Sequence, residues 1–219
     1  MKVLKDLLGW LWRLFVPSRC PICGELGETG PCEKCRRILP DRPYLQTLSL
    51  PGKPRVLVAA PLRYQGEWKK TLHRFKFRDT PALDRSIASL TAGAAQRLPG
   101  PFDCVAYVPL HKKDRRKRGY DQSELLAKEI GRALSLPCVP LLEKCRQTET
   151  QHNLNRAQRL ENPEGAYRAR QPAAGLSVLL VDDIVTTGAT LSQCALALYA
   201  AGAKKVCCLC AAEAPLKSS

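Results

Sequence analysis

The chain has 219 residues, 45% of them hydrophobic, which is normal for a folded protein and excludes a chain that is disordered throughout. This length suits one domain of ordinary size plus a small additional segment. The formal net charge of +15 favours an anionic partner such as a nucleic acid, a phosphorylated metabolite or an acidic membrane surface, unless the charge serves solubility alone.

The first 16 residues, MKVLKDLLGWLWRLFV, are strongly apolar but too short to span a bilayer. Asp6 and Arg13 interrupt the run, and no small-residue cleavage site of a signal peptide follows. Apolar residues recur on one helical face, which predicts an amphipathic helix over residues 1–18 that docks on this protein or on a partner; binding to a membrane surface is the alternative. We therefore expect a cytoplasmic protein without a transmembrane segment, whose 11 cysteines are mostly reduced.

Two Cys-x-x-Cys pairs follow in the stretch CPICGELGETGPCEKC. Two residues between cysteines let both thiolates face one point, and four such thiolates make the closed tetrahedral site of structural zinc. Two disulfides or four free thiols are the alternative, and the segment could also touch nucleic acid. The predicted zinc ligands are Cys20, Cys23, Cys32 and Cys35.

Prolines cluster between residues 37 and 54, which predicts a linker or an extended connection. Residues 19–54 thus form a zinc-binding segment with its linker, and residues 55–219 form the main domain.

In that domain, apolar strand-like runs alternate with helical patterns, which predicts an α/β fold with a parallel sheet covered on both faces. Helices are expected over 66–77 and 81–98, and Asp121 to Glu124 has the form of a capping box. Ligands of such sheets bind at the carboxyl ends of the strands.

The stretch SVLLVDDIVTTGATL places Asp182 and Asp183 at the end of a buried strand. Carboxylates there can accept hydrogen bonds from the hydroxyls of a ribose or hold a hydrated divalent cation. Residues 186–190 then lead into a helix, whose first amides and dipole favour an anion such as a phosphate. The pattern therefore indicates a site for a ribose 5-phosphate; a capped helix beside solvated acids is the alternative.

This stretch closely resembles the phosphoribosyl pyrophosphate motif of type I phosphoribosyltransferases. With the four-cysteine segment and the stretches RYQGEWKKTLHRFKF, VPLHKKDRRKRGYDQSELLA and TETQHNLNRAQRLENPEGAY, the chain resembles the ComF family of competence-associated proteins. The resemblance implies a type I phosphoribosyltransferase-like parallel sheet flanked by helices and preceded by a small zinc ribbon with four cysteine ligands. Arg78 and Asp79 stand where a glycine is expected. The resemblance implies that Asp182 and Asp183 hold the ribose, and that the 5-phosphate contacts Thr186, Thr187, Gly188, Ala189 and Thr190.

We expect the basic stretch HKKDRRKRGYDQ, which follows the strand VAYVP, to form a loop at the same edge. Its guanidinium groups could clamp a leaving pyrophosphate or grip a nucleic-acid backbone, and a plain solvated charge run is the third possibility. We assign Arg115 and Arg116 to ligand binding and Arg118, with the two acids, to catalysis. Tyr120 offers a stacking face for a base.

Residues 147–167 fall where the resemblance implies a mobile catalytic loop. Candidates for closing over a ligand are Gln151, Arg156, Arg159 and Asn162, and a surface loop is the alternative. His111 and His152 receive no acid or base role.

Two functions from different classes compete. One is a binding protein that takes phosphoribosyl pyrophosphate or a related phosphate, with magnesium, and serves DNA uptake through single-stranded DNA, a competence helicase or other uptake proteins. The other is an active phosphoribosyltransferase that transfers ribose 5-phosphate to a nitrogenous acceptor. A metabolite sensor without chemistry is a third possibility.

Overall fold

A computed structural model describes residues 20–26, 30–76, 81–146 and 165–214. The expected helix over residues 1–18 lies outside these ranges. Within them, no helix has the length and apolar content required to cross a membrane.

A mostly parallel sheet forms the centre of the domain, in the order β1-β2-β8-β7-β4, and β3 pairs with the end of β8. Only the β1–β2 pair is antiparallel in this sheet, and β5 and β6 form a separate antiparallel hairpin. The strands are β1 (Tyr44–Leu48), β2 (Val56–Ala60), β3 (Leu62–Arg63), β4 (Cys104–Tyr107), β5 (Leu142–Lys144), β6 (Tyr167–Ala169), β7 (Ser177–Val185) and β8 (Lys205–Glu213).

Helices flank both faces of this sheet. They are α1 (Glu33–Arg36), α2 (Gly66–Lys76), α3 (Pro81–Ala94), α4 (Lys112–Arg118), α5 (Gln122–Leu134) and α6 (Ala189–Ala200), with a 3₁₀ turn at Ala95–Arg97 after α3. The helix expected over 81–98 is thus α3 with its 3₁₀ turn.

The central strands are buried on both sides, as the continuous apolar run of β7 predicts. Val178 and Leu180 pack in one cluster with Leu198 of α6, whereas Leu179 packs in the other with Ile130 of α5. The predicted α/β fold, with a parallel sheet covered on both faces, is therefore confirmed.

The cysteine segment packs directly on the main domain. Ile22, between the cysteines of the first pair, is fully buried and shares the cluster of Trp68 in α2. The Thr71 hydroxyl of α2 donates a hydrogen bond to the Ile22 carbonyl oxygen, and Arg74 Nη2 donates to the Cys23 carbonyl oxygen over 2.7 Å. The segment therefore shares one hydrophobic core with the sheet.

Three elements differ from the sequence-based expectation. The connection over 37–54 contains β1, which joins the sheet beside β2. The basic stretch, expected as a loop, is the helix α4, which begins after His111 and ends at Gly119 in the left-handed conformation. Strand β7 does not end before the acids but continues through them to Val185, because β8 accompanies it to Glu213.

Candidate functional site at the carboxyl edge of the sheet

Asp182 and Asp183 lie in the part of β7 that extends beyond the end of the neighbouring strand β4. The last paired residues of β4 and β7 are Tyr107 and Val181, so both acids extend past the end of β4 while β8 still runs beside them. The Ser123 hydroxyl donates to Asp182 Oδ1 over 2.9 Å, and the Asp183 backbone N–H donates to the same oxygen over 2.9 Å. Asp183 Oδ1 accepts from the Ile184 backbone N–H over 2.7 Å.

The electrostatic environment of Asp182 opposes its ionisation. Burial raises the pKa of Asp182 well above its usual range, and the negative charge of Asp183 adds to that shift. The hydrogen bonds from Ser123 and from the Asp183 amide act in the opposite direction but do not outweigh burial. A bound cation or a set of hydroxyl donors would therefore relieve an unfavourable charge here.

The loop after β7 leads into a helix whose N-cap residue has no side chain to cap it. Gly188 is the N-cap residue of α6, and the nearest internal contact is a 3.4 Å hydrogen bond from the Ala189 N–H to Thr187 Oγ1. In the described ranges, no hydrogen bond is made by the backbone N–H groups of Thr186, Thr187 and Gly188. These amides and the helix dipole are suited to an anion.

By contrast, the side chain of Asp121 caps the start of α5 at the same edge of the sheet. Asp121 Oδ1 accepts from the backbone N–H groups of Ser123 and Glu124 over 3.1 and 3.3 Å, and Oδ2 accepts from the Leu110 N–H over 2.7 Å. The expected helix cap at Asp121 is confirmed. The loop before α6 differs, because the backbone N–H groups of Thr186, Thr187 and Gly188 make no hydrogen bond in the described ranges and can donate to a ligand.

Gly188 is required for a reason that the sequence did not indicate. Its φ of +78° lies in the left-handed region, and an added Cβ would overlap Leu48 Cδ2 and lie 3.3 Å from Gln46 Nε2. The side chains of β1 therefore lie against the loop after β7. The contact of Gly188 with a phosphate, which the resemblance implies, stays a prediction.

A basic cavity of about 140 Å³ lies between α4 and the β5–β6 hairpin. Burial raises the pKa of Tyr107, one of its walls, to about 12, and burial lowers the pKa of Lys144, another. Both shifts favour the neutral side chains in the free protein. The lining residues are Tyr107, Pro109, Leu110, Lys112, Arg115, Asp121, Leu142, Glu143, Lys144 and Arg170.

The three arginines assigned from sequence have different surroundings. Arg115 lines the cavity, and its Nη2 lies 2.9 Å from Glu124 Oε2. Arg118 Nη1 donates to Gln122 Oε1 over 3.4 Å. Arg116 is exposed and does not line the cavity. The structure thus brings Arg115 to the edge of the sheet and leaves Arg116 at the surface.

The β5–β6 hairpin lies beside the start of α6. The Lys144 ammonium nitrogen lies 5.5 Å from the centre of the Tyr167 ring, and Tyr167 hydrogen-bonds the Thr190 side chain. His111 Nδ1 accepts from the Lys113 N–H over 3.4 Å at the start of α4. The loop candidates Gln151, His152, Arg156, Arg159 and Asn162 lie outside the described residues.

The four cysteines of the N-terminal segment form one cluster, and the arrangement fits a metal. The sulfur atoms of Cys20, Cys23, Cys32 and Cys35 all lie within 4.8 Å of one another. The Cys23 and Cys32 sulfurs are 3.8 Å apart, which matches the about 3.8 Å edge of a tetrahedron with Zn–S bonds of about 2.3 Å. Burial raises the pKa of Cys20, but backbone N–H groups outweigh it and lower that pKa to about 7, which favours the thiolate. At Cys23 and Cys35, burial prevails and raises the pKa.

Sequence reasoning missed several polar residues at this edge. Ser123 was part of a capping pattern, and Gln46 lay in the expected connection. Lys144 and Tyr167 belong to a hairpin whose strands are three residues each, too short for a periodic signal. None of these positions carries a local motif.

A parallel sheet flanked by helices, with paired acids and an uncapped helix start at its carboxyl edge, defines a phosphoribosyltransferase-like protein. A family model described as a phosphoribosyl transferase domain matches residues 121–218. The chain is 30% identical over 226 residues to the DNA utilization protein YhgH of Salmonella typhi, covering 90% of this chain and 98% of that relative.

Two further relatives carry competence names. Competence protein F of Haemophilus influenzae is 29% identical over 145 residues, or 62% of this chain and 63% of the relative. Competence protein ComFC of Bacillus subtilis is 29% identical over 140 residues, or 64% of this chain and 56% of the relative. The chain belongs to the ComF family of phosphoribosyltransferase-like proteins.

Proposed function

We propose that this chain binds phosphoribosyl pyrophosphate, or a related sugar phosphate, at the junction of β7 and α6 and acts in DNA uptake. The observation that carries the ligand assignment is the pairing of two features. Asp182 and Asp183 extend past the end of β4, and the amides of residues 186–188 follow them without internal hydrogen bonds in the described part of the chain. Acceptors for sugar hydroxyls and donors for a phosphate thus lie on one short stretch of chain.

Each part of the ligand has a matching group. The acids would hold the ribose hydroxyls, with Mg²⁺ accompanying the diphosphate, and the loop from Thr186 to Thr190 would hold the 5-phosphate. The basic cavity with Arg115 would receive the diphosphate, and Arg118 lies one helical turn further along α4.

Zinc is the metal that the cysteine cluster fits best. Cys20, Cys23, Cys32 and Cys35 would hold it as four thiolates, which leaves no open position for catalysis. Its contribution would be to stabilise the segment on α2.

The DNA-uptake role is supported by the names of the relatives and by the charge of α4. The helix KKDRRKR carries six basic residues and one acidic residue, and most of its side chains are exposed. Arg116 and Lys117 do not line the cavity and are available to phosphates of single-stranded DNA. A competence helicase or another uptake protein is a further partner in this proposal.

The second candidate is an active phosphoribosyltransferase, which the basic cavity beside the acids favours. A nitrogenous acceptor would displace diphosphate at the anomeric carbon: the C–N bond forms, the C–O bond breaks, and diphosphate leaves. The cationic side chains around the cavity would stabilise the charge that develops on the leaving diphosphate.

The ligand assignment is tested by thermal shift with phosphoribosyl pyrophosphate and Mg²⁺. We expect the wild-type chain to be stabilised, and Asp182→Asn and Asp183→Asn to lose most of that stabilisation. Asp41→Asn removes an exposed carboxylate elsewhere and serves as the matched control. Undiminished stabilisation of both acid variants would exclude a site built on these residues.

DNA binding is tested by fluorescence anisotropy with a single-stranded oligonucleotide at two salt concentrations. We expect affinity to fall with salt. The double variant Arg116→Ala/Lys117→Ala should make the slope of log affinity against log salt shallower, by about 0.7 for each phosphate that is no longer neutralised. Arg42→Ala/Lys53→Ala removes the same charges from another exposed region. Equal effects of the two double variants would argue for diffuse charge rather than for α4.

Turnover is tested separately by following diphosphate release with a panel of nucleobases. Sustained release with one base establishes the transferase, whereas ligand binding without release with any of them favours the binding protein.

A further inference from the structure

Three consecutive polar residues at the start of α5 are almost completely buried. Asp121, Gln122 and Ser123 are 3%, 4% and 6% exposed. Burying polar groups is unfavourable unless they are hydrogen-bonded, so the partners of such a row indicate what it is for. Asp121 holds Leu110 of the loop after β4, Gln122 accepts from Arg118 of α4, and Ser123 donates to Asp182 of β7.

The hydrogen bond between Ser123 and Asp182 joins two segments that are 59 residues apart. Asp182 Oδ1 accepts from the Ser123 hydroxyl and from the Asp183 N–H, both over 2.9 Å. In the described ranges, Oδ2 accepts no hydrogen bond. Two donors on Oδ1 fix the rotation of the carboxyl group and leave Oδ2 for a ligand.

We propose that Ser123 is a positioning residue, which holds the Asp182 carboxylate in the orientation that selects a ribose phosphate over a 2-deoxyribose phosphate. The proposal rests on the proposed function, in which the acids hold the ribose hydroxyls, and it assigns the 2-hydroxyl to Asp182. A carboxylate that is already fixed loses little rotational freedom when a hydroxyl binds to it. Without the Ser123 hydroxyl, the Asp183 N–H alone holds Oδ1. More of the ordering of the Asp182 side chain then occurs at the moment of binding, and the gain from the extra sugar hydroxyl shrinks.

The test compares the affinities of ribose 5-phosphate and 2-deoxyribose 5-phosphate, measured by calorimetry on the full chain in Mg²⁺ buffer. We expect the wild-type chain to prefer ribose 5-phosphate by about tenfold or more, the range of a hydrogen bond to a charged group. Ser123→Ala should bind ribose 5-phosphate about five- to tenfold more weakly and 2-deoxyribose 5-phosphate within about twofold of wild type. Ser123→Thr keeps the hydroxyl and should restore the preference.

Two further variants guard against a general loss of structure. Thr91→Ala removes a hydroxyl that is also buried and donates to the Ile87 carbonyl oxygen over 2.7 Å, on a different helix from Ser123. It should change the melting temperature but keep the preference for ribose. If Ser123→Ala does not fold, Ser123→Cys preserves the size with a weaker donor and should still reduce the preference.

The outcomes separate the two proposals. If wild type prefers ribose 5-phosphate and Ser123→Ala and Ser123→Cys keep that preference in full, the positioning role of Ser123 is wrong and the proposed site stands. If wild type binds both sugar phosphates equally, the acids do not recognise the 2-hydroxyl and the positioning role of Ser123 is wrong. If wild type binds neither, the proposed function fails and this inference fails with it.

Discussion

Gly188 shows how a single residue serves the loop and the sheet at once. Its left-handed backbone turns the chain from β7 into α6, and its missing side chain admits Leu48 of β1. Gly175 has a similar φ of +74°, but an added Cβ there would meet nothing within 4 Å. Comparing alanine substitutions at Gly175 and Gly188 therefore separates the cost of backbone strain from the cost of steric overlap.

We predict that Gly175→Ala lowers the free energy of unfolding by about 1–2 kcal/mol, from left-handed strain alone. Gly188→Ala should lower it by about 1–3 kcal/mol more, because its Cβ also collides with a buried leucine. Urea denaturation measures both. Adding Leu48→Ala to Gly188→Ala should recover part of the overlap energy in a double-mutant cycle; equal losses for both glycines would contradict the packing argument.

Asp121 illustrates a carboxylate whose cap hydrogen bonds do not compensate for its burial. Burial raises the pKa of Asp121, and the hydrogen bonds from the Leu110 and Glu124 amides only reduce that rise. Because the folded state holds this proton more tightly than the unfolded state, protonation of Asp121 favours folding. Its stabilising effect is complete below the unfolded pKa of about 3.9 and is lost as pH rises through the raised pKa.

We therefore predict that the difference in unfolding free energy between wild type and Asp121→Asn changes with pH. The unfolding free energy of wild type relative to Asp121→Asn should be highest at acidic pH. It should fall as pH rises through the raised pKa of Asp121 and then level off. Urea midpoints at a series of pH values give the curve. A difference that does not vary with pH, or that grows with pH, would show that the pKa is not raised.

At the scale of elements, α2 anchors the cysteine segment. Ile22 fills the core beside Trp68, and Thr71, which is fully buried, donates to the Ile22 carbonyl oxygen. Arg74 donates to the next carbonyl oxygen, at Cys23. Side chains of α2 thus hold the carbonyl oxygens of Ile22 and Cys23. These hydrogen bonds fix the turn between Cys20 and Cys23 that brings their sulfurs together.

Thr71→Val keeps the side-chain shape and removes this hydroxyl. We expect it to lower the free energy of unfolding by about 1–3 kcal/mol, because a buried carbonyl oxygen loses its partner, and to release zinc faster to a chromogenic chelator. Thr91→Val is the matched control, since its hydroxyl donates to the preceding turn of its own helix. If both variants release zinc at the same rate, the hydrogen bond from α2 does not hold the segment.

At the scale of the whole molecule, the cysteine segment and the sheet share one core. Cys20, Ile22 and Cys35 belong to the same cluster as Leu179 and Leu209 of the central strands. Strand β1, which follows the segment, reaches the loop of Gly188. The two regions are therefore expected to unfold together.

We predict that removing zinc with a chelator lowers the temperature of a single cooperative transition rather than melting the segment alone. Calorimetry with and without chelator measures this, and Cys145→Ser, at an exposed cysteine, should leave the chelator effect unchanged. Two transitions, with the upper one unaffected by the chelator, would show that the segment folds independently.

The sequence by itself determined the features that lie on one continuous stretch of chain. The four cysteines fall within sixteen residues, and the buried strand, the acids and the phosphate-type loop are consecutive, so local spacing was enough to predict both. Only the tertiary structure brought Ser123 to Asp182, Leu48 to Gly188, and Lys112 to the same cavity as Lys144 and Arg170. These contacts depend on the order of the strands and on how each connection crosses the sheet, and the periodicity of side chains along the chain does not encode either.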